Sequence, residues 1–192
     1  MNPSATFPDA LSSERLLLRR CHAEDADHLQ ALVSENRPHL VQSFPEMARG
    51  LSTPAEMTEF LADKATQWAA GKTFCYGIWR TDSSALIGQI QVKNIVWNVP
   101  SAELSYFIAT TALRRGYASE AVRCLQYLLF ERLDFNRLFV RIVADNAASL
   151  ALAEALGFLS EGLHRQAFRC GFGKLHDVHH LAVLKSDARR AL

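Results

Sequence analysis

An α+β domain built on one mixed, mostly antiparallel sheet is predicted by three changes of hydrophobic period along the 192-residue chain. Apolar residues recur at helical spacing as far as Gly71. Three alternating segments joined by short polar turns follow, the pattern of an antiparallel meander. Helical and strand-like patterns then alternate to the end, so the sheet is expected to be mixed, with helices on both faces.

Residues 1–13 are rich in Ser, Pro and Ala and read as a flexible lead-in, with the domain proper over 14–187. Arg15 to Arg20, RLLLRR, is a short apolar run with charged ends and is the first predicted strand. Ala26, Leu29, Leu32 and Val33 lie on one helical face. The stretch RPHLVQSFPEMARGLS holds two prolines and a glycine, and reads as an irregular connection at a substrate entrance. Thr53 then starts a helix: it can cap, Pro54 suits the first helical position, and Glu56 completes a T-x-x-E capping box. Met57, Phe60, Leu61, Ala65 and Trp68 form its apolar stripe, and Gly71 stops it.

The meander is TFCYGIWR (Thr73 to Arg80), ALIGQIQVKNIVW (Ala85 to Trp97) and AELSYFIA (Ala102 to Ala109), linked by the turns TDSS and NVPS. In the second strand Leu86, Gly88, Ile90 and Val92 share one face, and Ile87, Gln89, Gln91 and Lys93 the other. Ala118, Ala121, Val122, Leu125, Leu128 and Leu129 make the next helical stripe, and RLFVRIVA (Arg137 to Ala144) the next strand. NAASLALAEALGF is a short helix with Asn146 as cap and Gly157 as stop, and HDVHHLAVL (His176 to Leu184) is the last predicted strand. Trp68, Trp79 and Trp97 fall in apolar patterns and read as core.

Composition excludes several classes of function. A net charge of +1 argues against a general nucleic-acid binder. Cys21, Cys75, Cys124 and Cys170 form no CxxC pair and read as free thiols of a reducing compartment. No leader-like segment and no apolar run near the roughly 20 residues of a membrane span are present, so a cytoplasmic protein without a membrane partner is expected. His176, His179 and His180 alternate across a strand and lack a second cluster to complete a metal site, so no metal is expected.

Chemistry concentrates first at LRRGYASEAV, Leu113 to Val122. A helix that starts near Gly116 or Tyr117 points its free N–H groups and positive dipole end at whatever lies in front. Gly116 permits close approach of backbone, Ala118 and Ser119 keep the first turn slim, and Arg114 and Arg115 add cations suited to phosphate oxygens. The pattern is neither a P-loop nor a dinucleotide fingerprint. On these residues alone, a phosphate site and a solvated basic turn both remain open.

The surrounding segments separate the two. AELSYFIATTALRRGYASEAV resembles the acetyl-CoA motif of the GNAT acetyltransferases, and DNAASLALAEALGFLSEG is similar to their second cofactor motif. LIGQIQVKNI and AFRCGFGKLHDVHHLAVLKSD resemble the RimJ/RimL branch, in an order that spans Arg15 to Asp187. The resemblance implies a central twisted sheet splayed at a cofactor cleft, acetyl-CoA as co-substrate, and direct transfer of acetyl to a primary amine. The usual turn, Q/R-x-x-G-x-G/A, falls on Leu113 to Ala118. Gly116 and Ala118 match. Leu113 replaces a polar residue, and Arg114 sits where relatives in this branch often have glycine.

By resemblance, the cofactor would be held by Phe107, Ile108, Arg114, Arg115, Gly116, Tyr117, Ala118, Ser119, Asn146 and Ser149, with the pyrophosphate on main-chain amides from Arg115 to Ser119. A backbone N–H near Phe107 or Ile108, where the family strand bulges and splays, would bind the oxyanion. Glu103 is the candidate base through water, or else only binds the acceptor ammonium. Ser149 is the candidate acid for the leaving thiolate, because the tyrosine often found in that helix is missing; capping by Asn146 and Ser149 is the plainer alternative. The expected acceptor is a protein N-terminus of the ribosomal alanine or serine type. A small amine such as an antibiotic, polyamine or amino acid derivative, and a non-catalytic coenzyme A module, are the alternatives. Relatives in this branch are often dimers, so a homodimer is possible.

Overall fold

The computed structural model describes residues 6–51 and 53–188. Eight strands form one sheet: β1 (Ala10–Ser12), β2 (Leu16–Arg20), β3 (Phe74–Arg80), β4 (Leu86–Val96), β5 (Ser101–Ile108), β6 (Arg137–Val143), β7 (Leu159–Arg169) and β8 (Leu175–Leu184). Their spatial order is β1-β2-β3-β4-β5-β6-β8-β7. Every neighbouring pair is antiparallel except β5 and β6. The helices are α1 (Ala26–Ser43), α2 (Pro45–Gly50), α3 (Pro54–Ala69), α4 (Tyr117–Tyr127), α5 (Ala147–Ala155) and the short α6 (Lys185–Ala188). They flank the sheet, with α1 against β4, α3 against β3, α4 against β2 and β5, and α5 against β6. No helix among the described residues is long and apolar enough to cross a membrane.

The meander forms as its alternation predicts. Leu16 and Leu18 of β2, Tyr76 and Ile78 of β3 and Ile90 and Val92 of β4 are fully buried. The α3 capping box is complete: Glu56 N–H donates to Thr53 Oγ1 at 3.2 Å, and Thr53 N–H to Glu56 Oε2 at 2.9 Å. Gly71 (φ +66°) turns the chain out of the helix. Trp68 packs edge-on against Phe74 and Tyr76, with ring centroids 5.0 and 5.1 Å away. All four cysteines are free, and only Cys124 is less than fully buried.

Three expectations are corrected. The first concerns the lead-in, whose residues 1–5 lie outside the described residues. Within the rest, Ala10–Ser12 is strand β1, so Leu16–Arg20 is the second strand rather than the first. Phe7 is buried and stacks on Phe74 at 3.5 Å, and the Tyr76 hydroxyl donates to the Pro8 carbonyl at 2.9 Å. One aromatic anchor and one edge ladder hold this segment, a signal too short to read as periodicity.

The second concerns RPHLVQSFPEMARGLS, which is mostly helical. α1 continues through Pro38 to Ser43, and α2 starts at Pro45 in the favourable first position. Pro38 takes away the partner of the Ser34 carbonyl, but Ser34 is exposed and water replaces the bond. Buried Leu40 then keeps the helix on the core. The third concerns RQAFRCGFGK (Arg165 to Lys174), whose basic and aromatic composition predicts a loop closing over an acceptor. Its first five residues close β7, and the turn lies beyond them. β7 is an edge strand exposed along nearly its whole length, so no apolar alternation marks it.

One feature of the sheet positions the site. β5 and β6 pair over only Ser101–Arg137, Ala102–Leu138 and Glu103–Phe139. Beyond Glu103 the two strands part, and their facing edges are left without a ladder. The expected splay is therefore present, but the accompanying bulge is elsewhere. Pairing of β4 with β5 is unbroken from Gly88–Ile108 to Lys93–Glu103, and shifts between Lys93 and Val96. Asn94 (φ +48°) sits in that shift. At the cleft end, Gly88 lets the strands close: a Cβ there would overlap the Phe107 carbonyl oxygen.

Candidate active site

The gap between β5 and β6 opens into a cavity of about 400 Å³ whose lining includes Phe107, Ile108, Leu113, Arg114, Gly116, Tyr117, Ala118, Ser119, Asn146 and Ser149. Nine of the ten expected cofactor residues are thus brought together. Arg115 is the exception: it does not line the cavity, and its carbonyl accepts a hydrogen bond from Arg15 Nη1 at 3.0 Å.

The turn before α4 is made by backbone conformation. Gly116 is the N-cap with φ +80° and ψ 0°, a left-handed geometry that glycine adopts without steric cost. Arg114 also takes a left-handed φ, +59°, where glycine is usual in this branch. The turn geometry is kept there at the strain of a Cβ in that region. Around it, Arg15 Nε donates to Glu120 Oε2 at 2.7 Å, Arg15 N–H to Glu120 Oε1 at 2.8 Å, and the Ser13 hydroxyl to Glu120 Oε1 at 2.7 Å. Burial opposes ionisation of Glu120, but these donors outweigh it and hold its carboxyl below the usual range. The first turn of α4 is thereby tied to the turn between β1 and β2, and the start of α4, with its free N–H groups, lines the cavity.

The main chain supplies a second donor. Ala109 N–H donates to Ile87 O at 2.7 Å. Strand alternation then turns the Phe107 N–H toward β4 as well, and the N–H groups of Tyr106 and Ile108 toward the unpaired edge. Of the two expected oxyanion donors, the geometry selects Ile108.

At the α5 end, Ser149 N–H donates to Asn146 Oδ1 at 3.1 Å. The capping role is therefore real, and it leaves the Asn146 amide N–H groups and the Ser149 hydroxyl to the cavity. Ser149 also hydrogen-bonds Tyr106. Burial pushes the Tyr106 hydroxyl up to about 12, with Ser149 drawing it partly back, so it stays protonated at neutral pH. Reading the sequence for a tyrosine on α5 alone overlooked this one, which reaches the same place from β5.

A second cavity, about 280 Å³, adjoins the first through Ser43, Phe44, Tyr106, Asn146 and Ser149. Glu103 lies in it, with a side chain only 4% exposed. Arg141 Nε donates to Glu103 Oε1 at 3.2 Å, Lys93 Nζ stands 3.6 Å from the same oxygen, and the Asn94 amide donates to Oε2. Two cations and an amide donor thus surround this buried carboxylate. Opposite it, the rings of His164 and His180 stack at 3.8 Å with 13° between planes. Burial, then His164, then Arg141 lower the His180 pKa below its usual value, against smaller opposing effects of Glu103 and Glu161. Lys93, Arg141, His164 and His180 were not singled out as site residues from sequence. A third cavity, about 510 Å³, continues outward from Ser43, Phe44, Lys93, Ser105 and Phe168 to Arg49, Lys64 and Arg169. Among the described residues no group of three or more His, Cys, Asp and Glu is placed to hold a metal ion.

The cavities therefore offer a slim, N–H-lined slot leading to a buried polar chamber. Comparison with known proteins agrees with this plan. The chain is similar to an uncharacterized N-acetyltransferase, p20, of Bacillus licheniformis, with 27% identity over 93% of this chain and 98% of that one. It is 28% identical to a putative ribosomal N-acetyltransferase, YdaF, of Bacillus subtilis, over 91% and 94%. A solved RimL ribosomal L7/L12 α-N-protein acetyltransferase in complex with coenzyme A superposes with a TM-score of 0.84 at 24% identity, covering 93% of this chain and 99% of that one. The acetyltransferase (GNAT) domain model matches residues 15–159, and with three quarters of its length inside that match the chain belongs to the GNAT acetyltransferase family, whose co-substrate is acetyl-CoA.

Proposed function

We propose that this N-acetyltransferase acetylates the α-amino group of a protein N-terminus, by direct transfer from acetyl-CoA in a ternary complex. The carrying observation is the series of three cavities that share lining residues and run from the coenzyme slot, past Glu103, to the outer surface. An extended peptide needs such a continuous groove, whereas a small amine is best held in a closed pocket. The names of the similar proteins, a putative ribosomal N-acetyltransferase and a ribosomal L7/L12 acetyltransferase, agree with a ribosomal-protein acceptor. Such an acceptor places the reaction in the cytoplasm.

The geometry supports the following roles within this reading. The N–H groups of the first turn of α4, with the Arg114 guanidinium beside them, hold the pyrophosphate. Phe107, Tyr117, Ala118 and Ser119 line the arm of the coenzyme. The Ile108 N–H receives the negative charge that develops on the acetyl oxygen. Tyr106 and Ser149 supply a protonated hydroxyl pair beside the sulfur. The Glu103 carboxylate, fixed by Arg141, Lys93 and Asn94, attracts the acceptor's ammonium group. The exposed edge β7, with Leu159 and Leu163 outward, is the surface for pairing of two copies.

Coenzyme A release in the presence of acetyl-CoA tests the acceptor. Peptides that copy ribosomal-protein N-termini are expected to exceed polyamines, aminoglycosides and free amino acids by about 100-fold in kcat/KM, the scale of discrimination that pocket contacts supply. Turnover confined to small amines overturns the peptide reading. Acetyl-CoA binding without turnover on any acceptor would make the domain a coenzyme A module instead.

A further inference from the structure

We infer that His180, stacked on His164, is the group that takes the proton from the attacking amine. This rests on the acetyl-transfer reading above, and it separates the base from the carboxylate that binds the amine.

Glu103 is poorly placed to accept a proton. Oε1 already receives Arg141 and faces Lys93, and Oε2 receives Asn94. Protonating it would break favourable contacts with two cations inside a buried site. His180 differs on each count. It stands directly across the ladder from Arg141, the residue that holds Glu103, so it shares the chamber with that carboxylate. Neither the His180 ring nor the His164 ring makes a hydrogen bond to another described residue, so a ring nitrogen is available to an amine or its bridging water. By contrast His176, four positions back along the strand, is engaged through Nδ1 with Asp145 at 3.1 Å.

The stacked geometry decides the protonation state. Two imidazolium rings 3.8 Å apart would repel, so stacking on His164 disfavours a positive charge on His180. The charged groups that face His180 are Arg141 on β6, His164 and Glu161 on β7 and Glu103 on β5. The net effect favours neutral imidazole at physiological pH, ready to accept.

The step balances as follows. The acceptor enters as R–NH3+ and gives one proton to His180. The free amine attacks the thioester carbonyl carbon, a C–N bond forms and the C–S bond breaks. A second nitrogen proton reaches the sulfur by way of the Tyr106–Ser149 hydroxyls, leaving coenzyme A as a thiol. The His180 imidazolium, disfavoured by Arg141 and His164, passes its proton to water. One proton is released per acetyl group transferred.

The test is the pH dependence of kcat/KM, on whichever acceptor the wild-type enzyme uses, with acetyl-CoA affinity measured separately by calorimetry. Wild-type activity is expected to rise through an acid limb below the usual histidine value. H180Q is expected to lose about 100-fold in kcat and the limb with it, while acetyl-CoA affinity is unchanged. Added imidazole is expected to restore part of the activity of H180A. H164A is expected to move the limb upward, because the stacked ring that disfavours charge on His180 is removed. E103Q is expected to move it downward, because an anion that favours imidazolium is removed, with the acceptor KM raised. The assignment is overturned if H180Q stays within about threefold of wild type with its limb intact, or if E103Q abolishes the limb and H180Q does not. Using any acceptor that turns over keeps this result independent of whether the natural acceptor is a peptide.

Discussion

The coenzyme half of the cleft and the acceptor half are built from different parts of the polypeptide. The coenzyme half is mostly main chain: the first turn of α4, the unpaired edge of β5 and the capped start of α5. Many of its side chains are small or apolar, and its shape depends on two left-handed residues, Arg114 and Gly116. The acceptor half is almost entirely side chain. Lys93, Glu103, Arg141, His164 and His180 come from five different strands and meet in one chamber. Main-chain donors suit the invariant part of the reaction, because every coenzyme molecule presents the same phosphates and amides. Side chains suit the part that distinguishes one amine from another, because they are replaced without disturbing the fold.

The sharpest way to break this division is at the point both halves share. Gly88→Ala places a methyl group against the Phe107 carbonyl oxygen and 2.9 Å from Ile108 Cδ1, on the strand that carries Glu103 at one end and the oxyanion donor at the other. It is expected to cost about 3 kcal/mol, read as a fall of about 10 °C in Tm, and to raise KM for both substrates together. A rise in only one KM would show that the halves are less mechanically joined than the ladder implies.

Tyr106→Phe acts at the boundary. It keeps the ring that separates the two cavities and removes the hydroxyl bonded to Ser149. The expected outcome in steady-state kinetics is a drop of about tenfold in kcat, with both KM values held within about twofold. An equal loss in Ser149→Ala and in the double variant would identify the two hydroxyls as one unit.

The smallest effect lies wholly in the coenzyme half. Arg114→Gly relieves the left-handed Cβ and is expected to add about 1 kcal/mol of stability by chemical denaturation. It also removes a cation from the pyrophosphate end, so KM for acetyl-CoA is expected to rise by a few fold while the acceptor KM stays constant. An unchanged acetyl-CoA KM would assign the anion to main chain alone.

The same division explains what was legible in the sequence. Residues 113–119 are consecutive, and the glycine and small residues that a phosphate turn needs leave a pattern in one window. The capped helices likewise announce themselves, as Thr53–Glu56 and Asn146–Ser149 do. Apolar, aromatic-rich runs bounded by the polar turns TDSS and NVPS mark β3 to β5, even though β3 and β5 are buried on both faces. The acceptor chamber has no such window. Its five charged or titratable residues are spread from Lys93 to His180, and only the pairing of β8 with both β6 and β7 brings them together. β7 escapes detection for the opposite reason, since a strand that buries neither face shows no period. Pro38 misleads because a single exposed carbonyl is all that it costs α1.

The three-residue ladder between β5 and β6 has a consequence for how the molecule behaves without its substrates. Strands β1 to β5 make one leaf, and β6, β8 and β7 make another, joined along their backbone over Ser101 to Glu103 and at the adjoining Pro100 carbonyl, which accepts from the Asn136 and Arg137 N–H groups. The remaining edges present unsatisfied amide and carbonyl groups to water. On the proposed reading, a ligand whose own chain carries amides would take the position of the absent ladder and so complete the fabric of the sheet. Binding of acetyl-CoA is then also a folding event for the seam, and its protection should appear in amide exchange at Tyr106 and Ile108 before it appears anywhere else.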